Sequence, residues 1–307
     1  MHRFCAHPRH ANLHAVTIIV DLFALARVGP KHASALRSIV SPKKIPSKPM
    51  KASTHSHSPC KACAEGVDLG FDFKMALQPI VNATDRSVFA HEALVRGPNN
   101  EPAGTVFASV NDSNLYHFDQ LCRIRAIELA AALNLDTMVS VNFMPNAIYQ
   151  PERCIQTTLE AAGRCNFPLD QIIFEITESE QVQDIQHLKR IAEYYREVRF
   201  TVAIDDFGAG YSGLNLLADV PADLPKLDMA LIRGGDTDRT RQAIIYGVID
   251  TATRLSMRVI AEGIETYAEL SVLQEMGIEL FQGYLFARPA FQSLASVPDA
   301  AFEPPTA

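Results

Sequence analysis

Cysteine is scarce in this chain of 307 residues, and a long uninterrupted apolar run is missing. Six cysteines are too few for the disulfide framework of a secreted protein of this size, so we predict a reducing compartment. The one candidate for a membrane span, residues 15–28, is shorter than the roughly 20 residues required and contains Asp21. No small-residue cleavage site follows it, as a signal peptide would need. These absences predict a cytoplasmic protein without a membrane span.

Positive charge is scarce outside the first 50 residues. Those residues hold eight Lys or Arg against the single Asp21, whereas the rest of the chain carries a net charge of −14. Domains that bind nucleic acids are usually basic where they meet phosphates, so a nucleic-acid polymer is not the expected partner. An acidic body instead suits a site that is built from carboxylates and binds cations.

The first 70 residues differ in composition from the remainder. Pro, Ser, His and Lys dominate residues 1–70 without a hydrophobic period, which predicts a disordered basic arm. Translation from Met50 is a hypothesis that the intact mass of the native protein would test. Four residues of the arm have spacings that could bind zinc, namely His55, His57, Cys60 and Cys63. Chance within a low-complexity segment is the simpler explanation for them.

Beyond the arm, short apolar segments alternate with longer amphipathic ones, as in repeated βα units. Eight strands are predicted, at residues 75–81, 88–96, 139–143, 172–176, 200–205, 224–228, 258–262 and 280–283. Helices are predicted at residues 118–133, 152–164, 185–195, 239–255 and 268–276. This order favours an α/β fold, a TIM (β/α)8 barrel over residues 71–298, with a flexible tail at 299–307. The first two strands are too close in sequence for a parallel crossover, so an antiparallel strand should make the barrel irregular.

Polar side chains recur at or near the ends of seven predicted strands. They are Glu92, Asn142, Glu175, Asp205 with Asp206, Lys226 with Asp228, Glu262 and Gln282. The carboxyl ends of barrel strands meet at one mouth, where the catalytic residues of this architecture lie. A lone acid or lysine at a strand end is usually just solvated, but seven such ends together indicate a site. Gly208 and Gly210 should let the backbone turn so that both aspartates reach it.

Five carboxylates of this set would crowd one cleft and need positive charge beside them: Glu92, Glu175, Asp205, Asp206 and Glu262. Each pair at ~4 Å repels by about 4 kcal/mol at an effective dielectric constant of ~20. The motifs contain neither His nor Cys, and oxygen ligands suit Mg²⁺ or Mn²⁺ rather than zinc. Two divalent ions and Lys226 would balance the five negative charges. This combination is typical of two-metal phosphodiester hydrolysis.

These residues resemble the EAL family of cyclic di-GMP phosphodiesterases. The signature EALVR stands at residues 92–96. The companion motifs appear in the family's order: QPIV at 78–81, VNFMP at 141–145, FEITES at 174–179, IDDFGAGYSGL at 204–214, PKLD at 225–228, AEGIET at 261–266 and FQGYLFARP at 281–289. Each motif alone is weak, whereas the ordered set is highly specific. Ala209, Gly213 and Leu227 replace the family's commoner Thr, Ser and Ile, and none of these departures removes a charge or a ligand.

The resemblance implies hydrolysis of cyclic di-GMP to linear 5′-pGpG, with two Mg²⁺ or Mn²⁺ ions per site and with Ca²⁺ inhibitory. The implied metal ligands are Glu92, Asn142, Glu175, Asp205 and Asp206. The implied catalytic residues are Glu92, Lys226, which fixes the nucleophilic water, and Glu262, a base or metal-linked acid. The implied substrate contacts are Gln78, Leu94, Arg96, Asn142, Asp228, Gln282 and Pro289. Glu178 and Glu265 are implied to support a gating loop at 206–213 that reorganises in a homodimer.

Alternatives to the phosphodiesterase stay open at this point. The same barrel could bind cyclic di-GMP without cutting it, or it could have become a protein-interaction module. Such a degenerate site should have lost a metal ligand or the lysine, and none is lost. An enzyme acting on sugar phosphates would have the architecture but not the ordered motifs. Residues 1–72 are too short and polar for a recognisable sensor domain, so the sequence does not predict the input signal.

Overall fold

The computed structural model describes residues 69–145, 148, 150–177, 184–209 and 213–305. Eight strands of this part close into a barrel, and a short ninth strand is added outside the ring. The strands are β1 Lys74–Asn82, β2 Ser87–Arg96, β3 Met138–Phe143, β4 Ile172–Thr177, β5 Thr201–Phe207, β6 Leu224–Leu227, β7 Ile260–Ala261, β8 Leu280–Gln282 and β9 Ala290–Phe291. The predicted α/β barrel is therefore confirmed. Seven of the eight predicted strands begin within one residue of their predicted start, and β7 begins two residues late.

The direction of β1 makes the barrel irregular. Strands β2 to β8 pair in parallel in chain order, whereas β1 pairs antiparallel with both β2 and β8 and so closes the ring. The predicted antiparallel start is confirmed. The short β9 was not predicted, and it pairs antiparallel with Ala76 and Leu77 of β1.

Helices connect most successive strands. They are α1 Ala103–Phe107, α2 Leu115–Ala132, α3 Pro151–Cys154, α4 Gln156–Cys165, α5 Ile185–Glu197, α6 Gly213–Asp219, α7 Met229–Ile232, α8 Arg239–Arg254 and α9 Tyr267–Glu275, with 3₁₀ turns at Leu169–Gln171 and Asp299–Phe302. Side chains cap several N-termini: Asp184 accepts from two N–H groups of α5, and Asp238 from two of α8. The single helix predicted at 152–164 is divided at Ile155, which nevertheless keeps helical backbone angles. Among these described ranges, no helix combines the length and apolar character needed to cross a membrane.

A layer of small and branched apolar side chains fills the barrel below its carboxyl-terminal mouth. It consists of Ile80, Ala90, Ile173, Ala203, Leu224, Ile260 and Leu280. In all seven strands that contribute to it, the residue two positions from the layer member toward the mouth is a predicted site residue, as Glu92 is for Ala90 and Lys226 for Leu224. Side chains two apart on a strand share a face. The layer is thus the apolar floor beneath the polar site.

A buried ion pair ties α2 to the segment that follows β3. The guanidinium of Arg123 lies 2.8 Å from Asp119 Oδ2, and both side chains are almost fully buried. Asp119 Oδ1 accepts the backbone N–H of Met144 at 3.0 Å. Arg123 also donates to the carbonyl of Cys154 and to Thr158 Oγ1, each at 3.4 Å. The pair therefore fixes the chain just beyond Asn142 against three helices.

The last described residues pack on the barrel. Ala301 is buried, and the ring of Phe302 lies 5.3 Å from that of Phe286. Glu303 pairs with Arg86 at 3.1 Å. The predicted tail at 299–307 thus begins with a 3₁₀ turn that contacts the fold through Ala301 and Phe302. The basic arm, Met50 and the zinc-like residues at 55–63 lie outside the described residues.

Candidate active site

Lys226 lies at the centre of the mouth, among carboxylates from four other strands or strand ends. Its Nζ lies 2.8 Å from Asp205 Oδ1 and from Glu262 Oε1, and 2.9 Å from Glu175 Oε1. Glu92 Oε2 lies further away, at 3.7 Å. The lysine is fully buried, as is Glu175. The acids that the sequence spreads over 170 residues therefore meet around one ammonium group.

Amide and hydroxyl groups hold the carboxylates in place. Gln282 Nε2 donates to Glu92 Oε2 at 2.6 Å, and Asn142 Nδ2 donates to Glu92 Oε1 at 3.1 Å. Ser140 Oγ donates to Glu175 Oε1 at 2.6 Å. Ser140 was not predicted as a site residue. Strand parity could have found it, because it lies two residues before Asn142 and so shares its face.

A β-bulge brings Asp205 and Asp206 to the same site. Between the register pairs Ile204↔Pro225 and Phe207↔Leu227, β5 has one residue more than β6. Asp206 lies at this bulge. Its φ is 56°, in the left-handed region that non-glycine residues seldom occupy. The prediction that both aspartates reach one site holds for their placement. Its proposed cause, a turn at Gly208 and Gly210, is corrected to a bulge within the strand, and Gly210 lies outside the described residues.

The electrostatics of the site show an excess of negative charge. Burial raises the pKa of Glu175 to about 8, against the opposing effect of Lys226. Burial and then the charge of Asp205 raise the pKa of Asp206 to about 6. Burial also raises the pKa of Glu262 well above its usual range. For Lys226, burial alone would lower the pKa, but the surrounding carboxylates raise it well above its ordinary value. A single ammonium group does not neutralise these acids, so the site favours further cations.

The donor set fits divalent metal ions. Asp205, Asp206 and Glu262 each offer an oxygen, and these oxygens lie within 4.8 Å of one another. Glu175 Oε2 is buried without a hydrogen-bond partner among the described residues. An orphaned buried carboxylate oxygen is costly unless a proton or a cation meets it. Oxygen-only donors of this kind match Mg²⁺ or Mn²⁺.

Two neighbouring cavities surround the site. One, of about 430 Å³, lies over the carboxylates and is lined by Gln78, Glu92, Leu94, Asp206, Asp228, Met229, Glu262, Gly263, Glu265, Gln282, Gly283 and Tyr284. The other, of about 370 Å³, is mostly apolar, and its lining includes Leu94, Arg96 and Asn142. Leu94 belongs to both. Most of the predicted substrate contacts are thus brought together, and Met229 and Tyr284 join them without having been predicted.

Four predicted residues do not contact the carboxylates around Lys226 in the bonds described for them. Arg96 donates to the carbonyl of Val95 at 2.7 Å, and Pro289 is half-buried just before β9. Asp228 caps α7 by accepting the N–H of Ala230. Glu265 pairs with Arg233 at 2.9 Å. Glu178, the other predicted support of the gating loop, lies outside the described residues.

The fold and this geometry define the class of the protein as an α/β barrel with an acidic site at its carboxyl-terminal mouth. The model of the EAL domain family matches residues 65–289, and the chain therefore belongs to the EAL domain family. The ordered motifs of the sequence had indicated this membership, which is confirmed.

Three known proteins illustrate the relationship. A crystal structure of a standalone EAL protein from Vibrio cholerae in its c-di-GMP-bound form is 53% identical, covers 77% of this chain and 100% of its own, and superposes with a TM-score of 0.75. A manganese and cyclic di-GMP complex of Klebsiella pneumoniae BlrP1 is 32% identical over 78% of this chain and 60% of its own, with a TM-score of 0.71. The cyclic di-GMP phosphodiesterase NbdA of Pseudomonas aeruginosa is 32% identical over 69% of this chain and 28% of its own. The chain spans 55% or less of the length of the first three curated relatives that it matches.

Proposed function

We propose that this protein hydrolyses cyclic di-GMP to linear 5′-pGpG. The observation that carries the proposal is the contact of Lys226 with Asp205, Glu175 and Glu262, the last of which lines the cavity above them. The names of the relatives, a phosphodiesterase and two proteins bound to this dinucleotide, support the choice of substrate. A binding module that had lost catalysis would not need a complete set of buried acids around a lysine.

The residues that would hold two divalent ions are Glu92, Asn142, Glu175, Asp205 and Asp206, with Glu262 at the edge of the set. Bound Mg²⁺ or Mn²⁺ would supply positive charge to the phosphate oxygens and lower the pKa of an attacking water. We propose these two ions as cofactors and Ca²⁺ as an inhibitor, because a larger ion with looser coordination positions reactants less strictly. The site needs such charge, since its acids otherwise retain protons at raised pKa values.

The chain's own side chains would then orient the water and move its proton. Lys226 has its pKa held high and so stays a charged donor, which can hold the water in line with the P–O3′ bond. Water attacks phosphorus and the P–O3′ bond breaks. One proton of the water passes to Glu262, and the leaving 3′ oxygen takes up a proton from Glu262 or from solvent, so that one water is added across the bond. Glu262 lies 2.8 Å from Lys226 and lines the cavity, so it is placed to accept the proton of the water. Arg96 and Asp228 would contact the substrate from the two sides of Leu94.

Incubation of the purified protein with cyclic di-GMP tests the proposal. We expect 5′-pGpG with Mg²⁺ or Mn²⁺, and little product with Ca²⁺ or EDTA, when the nucleotides are separated by chromatography. Glu92→Gln should lose nearly all activity, because it removes one charge from the acids around Lys226. The matched control is Glu128→Gln, which alters an exposed glutamate paired with Arg164 and should leave the rate unchanged. Intact cyclic di-GMP after incubation with both activating metals would overturn the proposal.

We also propose that the active form is a homodimer whose contact lies near the loop at residues 206–213. This inference rests on the family resemblance. Sedimentation of the protein with and without nucleotide, compared with its specific activity over the same concentration range, would test it. A monomer with full activity would be the contrary result.

A further inference from the structure

The guanidinium of Arg233 contacts one short turn of the chain through two ion pairs and one hydrogen bond. Arg233 follows α7, and its side chain lies 2.8 Å from Glu269 Oε1 and 2.9 Å from Glu265 Oε1. It also donates to the carbonyl of Gly263 at 3.1 Å. All three acceptors belong to residues 262–269, which lead from β7 into α9. A planar fork of fixed donors suits such a set of acceptors better than an ammonium group would.

Glu269 links Arg233 to the backbone of the turn. Its second oxygen, Oε2, accepts the N–H groups of Glu265 at 3.0 Å and Thr266 at 3.1 Å. Thr266 Oγ1 in turn accepts the N–H of Glu269, which completes a capping box at the start of α9. The Glu269 side chain is nearly buried, and Arg233 is its charged partner. Arg233 thus contacts both the backbone and the side chains of the turn, which is also held by the hydrogen bond of the Ile264 N–H to the carbonyl of Gln282 at 3.0 Å.

The turn begins at Glu262, the acid that faces Lys226. The N–H of Glu262 donates to the carbonyl of Leu227 at 3.1 Å, which fixes its amino-terminal side to β6. The next residue, Gly263, has a φ of 68°, and a Cβ there would collide with the Cβ of Met229. The turn therefore lies directly against α7. On its carboxyl-terminal side, Glu262 has the contacts of Arg233 to hold it in place.

We propose that Arg233 is a positioning residue for Glu262. By locking the turn onto α7, it sets the distance of the Glu262 carboxylate from Lys226 and from the neighbouring oxygens of Asp205 and Asp206. This inference rests on the proposed function, since it assigns a purpose to the placement of Glu262. Arg233 itself is not among the described residues that line the cavity above the carboxylates. Its influence on the carboxylates would be exerted through the turn that begins at Glu262, whose residues Gly263 and Glu265 also line the cavity.

Binding of Mn²⁺ to the nucleotide-free protein, measured by calorimetry, separates positioning from mere stability. We expect Arg233→Met to weaken Mn²⁺ binding by about 10- to 100-fold, the usual cost of losing a residue that orients a ligand. The value of kcat should fall by a similar factor while KM for cyclic di-GMP changes little. Arg233→Lys keeps the charge but not the fork, so its losses should be intermediate. Arg254→Met, which removes an exposed arginine paired with Asp250 on α8, should behave as the parent.

Two results would overturn the role of Arg233. One is a folded Arg233→Met that binds Mn²⁺ and turns over as the parent does, even with a lower melting temperature. If Arg233→Met does not fold, the second result is an Arg233→Lys variant that has the same Mn²⁺ affinity and the same kcat as the parent. Failure of the parent protein to bind Mn²⁺ would instead refute the proposed function, so the two failures are distinguishable.

Discussion

Removal of the charge on Arg123 should destabilise the protein by about 3–5 kcal/mol, the usual cost of breaking a buried ion pair from one side. In Arg123→Met, the carboxylate of Asp119 would remain buried with one described donor, the N–H of Met144 at 3.0 Å. A methionine fills much of the volume of the arginine stem, so the loss would report chiefly on the charge. Burial already raises the pKa of Asp119 even with Arg123 beside it.

The matching double variant sharpens the expectation. Asp119→Leu alone should cost a similar amount, because the guanidinium of Arg123 would then be buried without its counter-ion. With both changes the pair is gone, and replacing a buried pair by apolar residues is often neutral or stabilising. The N–H of Met144 would still lose its acceptor, at about 1–3 kcal/mol. The double variant should therefore be more stable than either single variant.

Urea denaturation followed by far-ultraviolet circular dichroism would measure these free energies of unfolding. The chain contains no tryptophan, so fluorescence is the weaker probe. The deficit of Arg123→Met relative to the parent should also shrink as the pH falls, because loss of Arg123 raises the folded-state pKa of Asp119 further than in the parent and so favours proton uptake by the folded variant. Strictly additive costs of the two single changes would refute this account of the pair.

Three other substitutions test separate parts of the structure. Lys226→Met should lower kcat by about 100-fold or more, and retention of most of the rate would contradict its role in holding the water. His91 is buried with its pKa lowered from 6.5 to about 4, mainly by desolvation, so stability should fall by up to about 3 kcal/mol as pH drops through this interval. Thermal melts of His91→Gln should lack that decline. Gly263→Ala should cost about 1–3 kcal/mol through strain and overlap with Met229, whereas Gly104→Ala, with free space around it, should cost nothing in the same melts.

The barrel could be predicted from sequence because its strands have strong local signals. Short apolar runs such as 172–176 are flanked by helical periodicity, and the spacing of two between Ala90 and Glu92 fixes which side chains face the mouth. The positions of Lys226 and Gln282 at predicted strand ends indicated that they would lie among the acids, and they contact Asp205 and Glu92 there. Period-two alternation is a property of one strand, so it survives without knowledge of the partners.

Features that depend on pairing between strands were not predictable in the same way. The bulge at Asp206 arises because β5 has one residue more than β6 between two pairs in register, and no single strand contains that information. The contacts of Arg233 with Glu265 and Glu269 join segments that are more than 30 residues apart. Strand parity places Ser140 on the face of Asn142, but its hydrogen bond to Glu175 depends on the pairing of β3 with β4. Long-range geometry, rather than composition, decided each of these.

The antiparallel first strand has a consequence for the order in which the molecule is completed. Its junction with β8 rests on three register pairs, Ile80↔Gln282, Val81↔Phe281 and Asn82↔Leu280, across some 200 residues of intervening chain. Contacts so distant in sequence form late in folding, since the loop that they close must first lose its freedom. The same junction carries Gln282, which steadies Glu92. During synthesis the chain would therefore contain most of its acidic site residues long before they can act together. The site would be complete only once β8 has paired with β1.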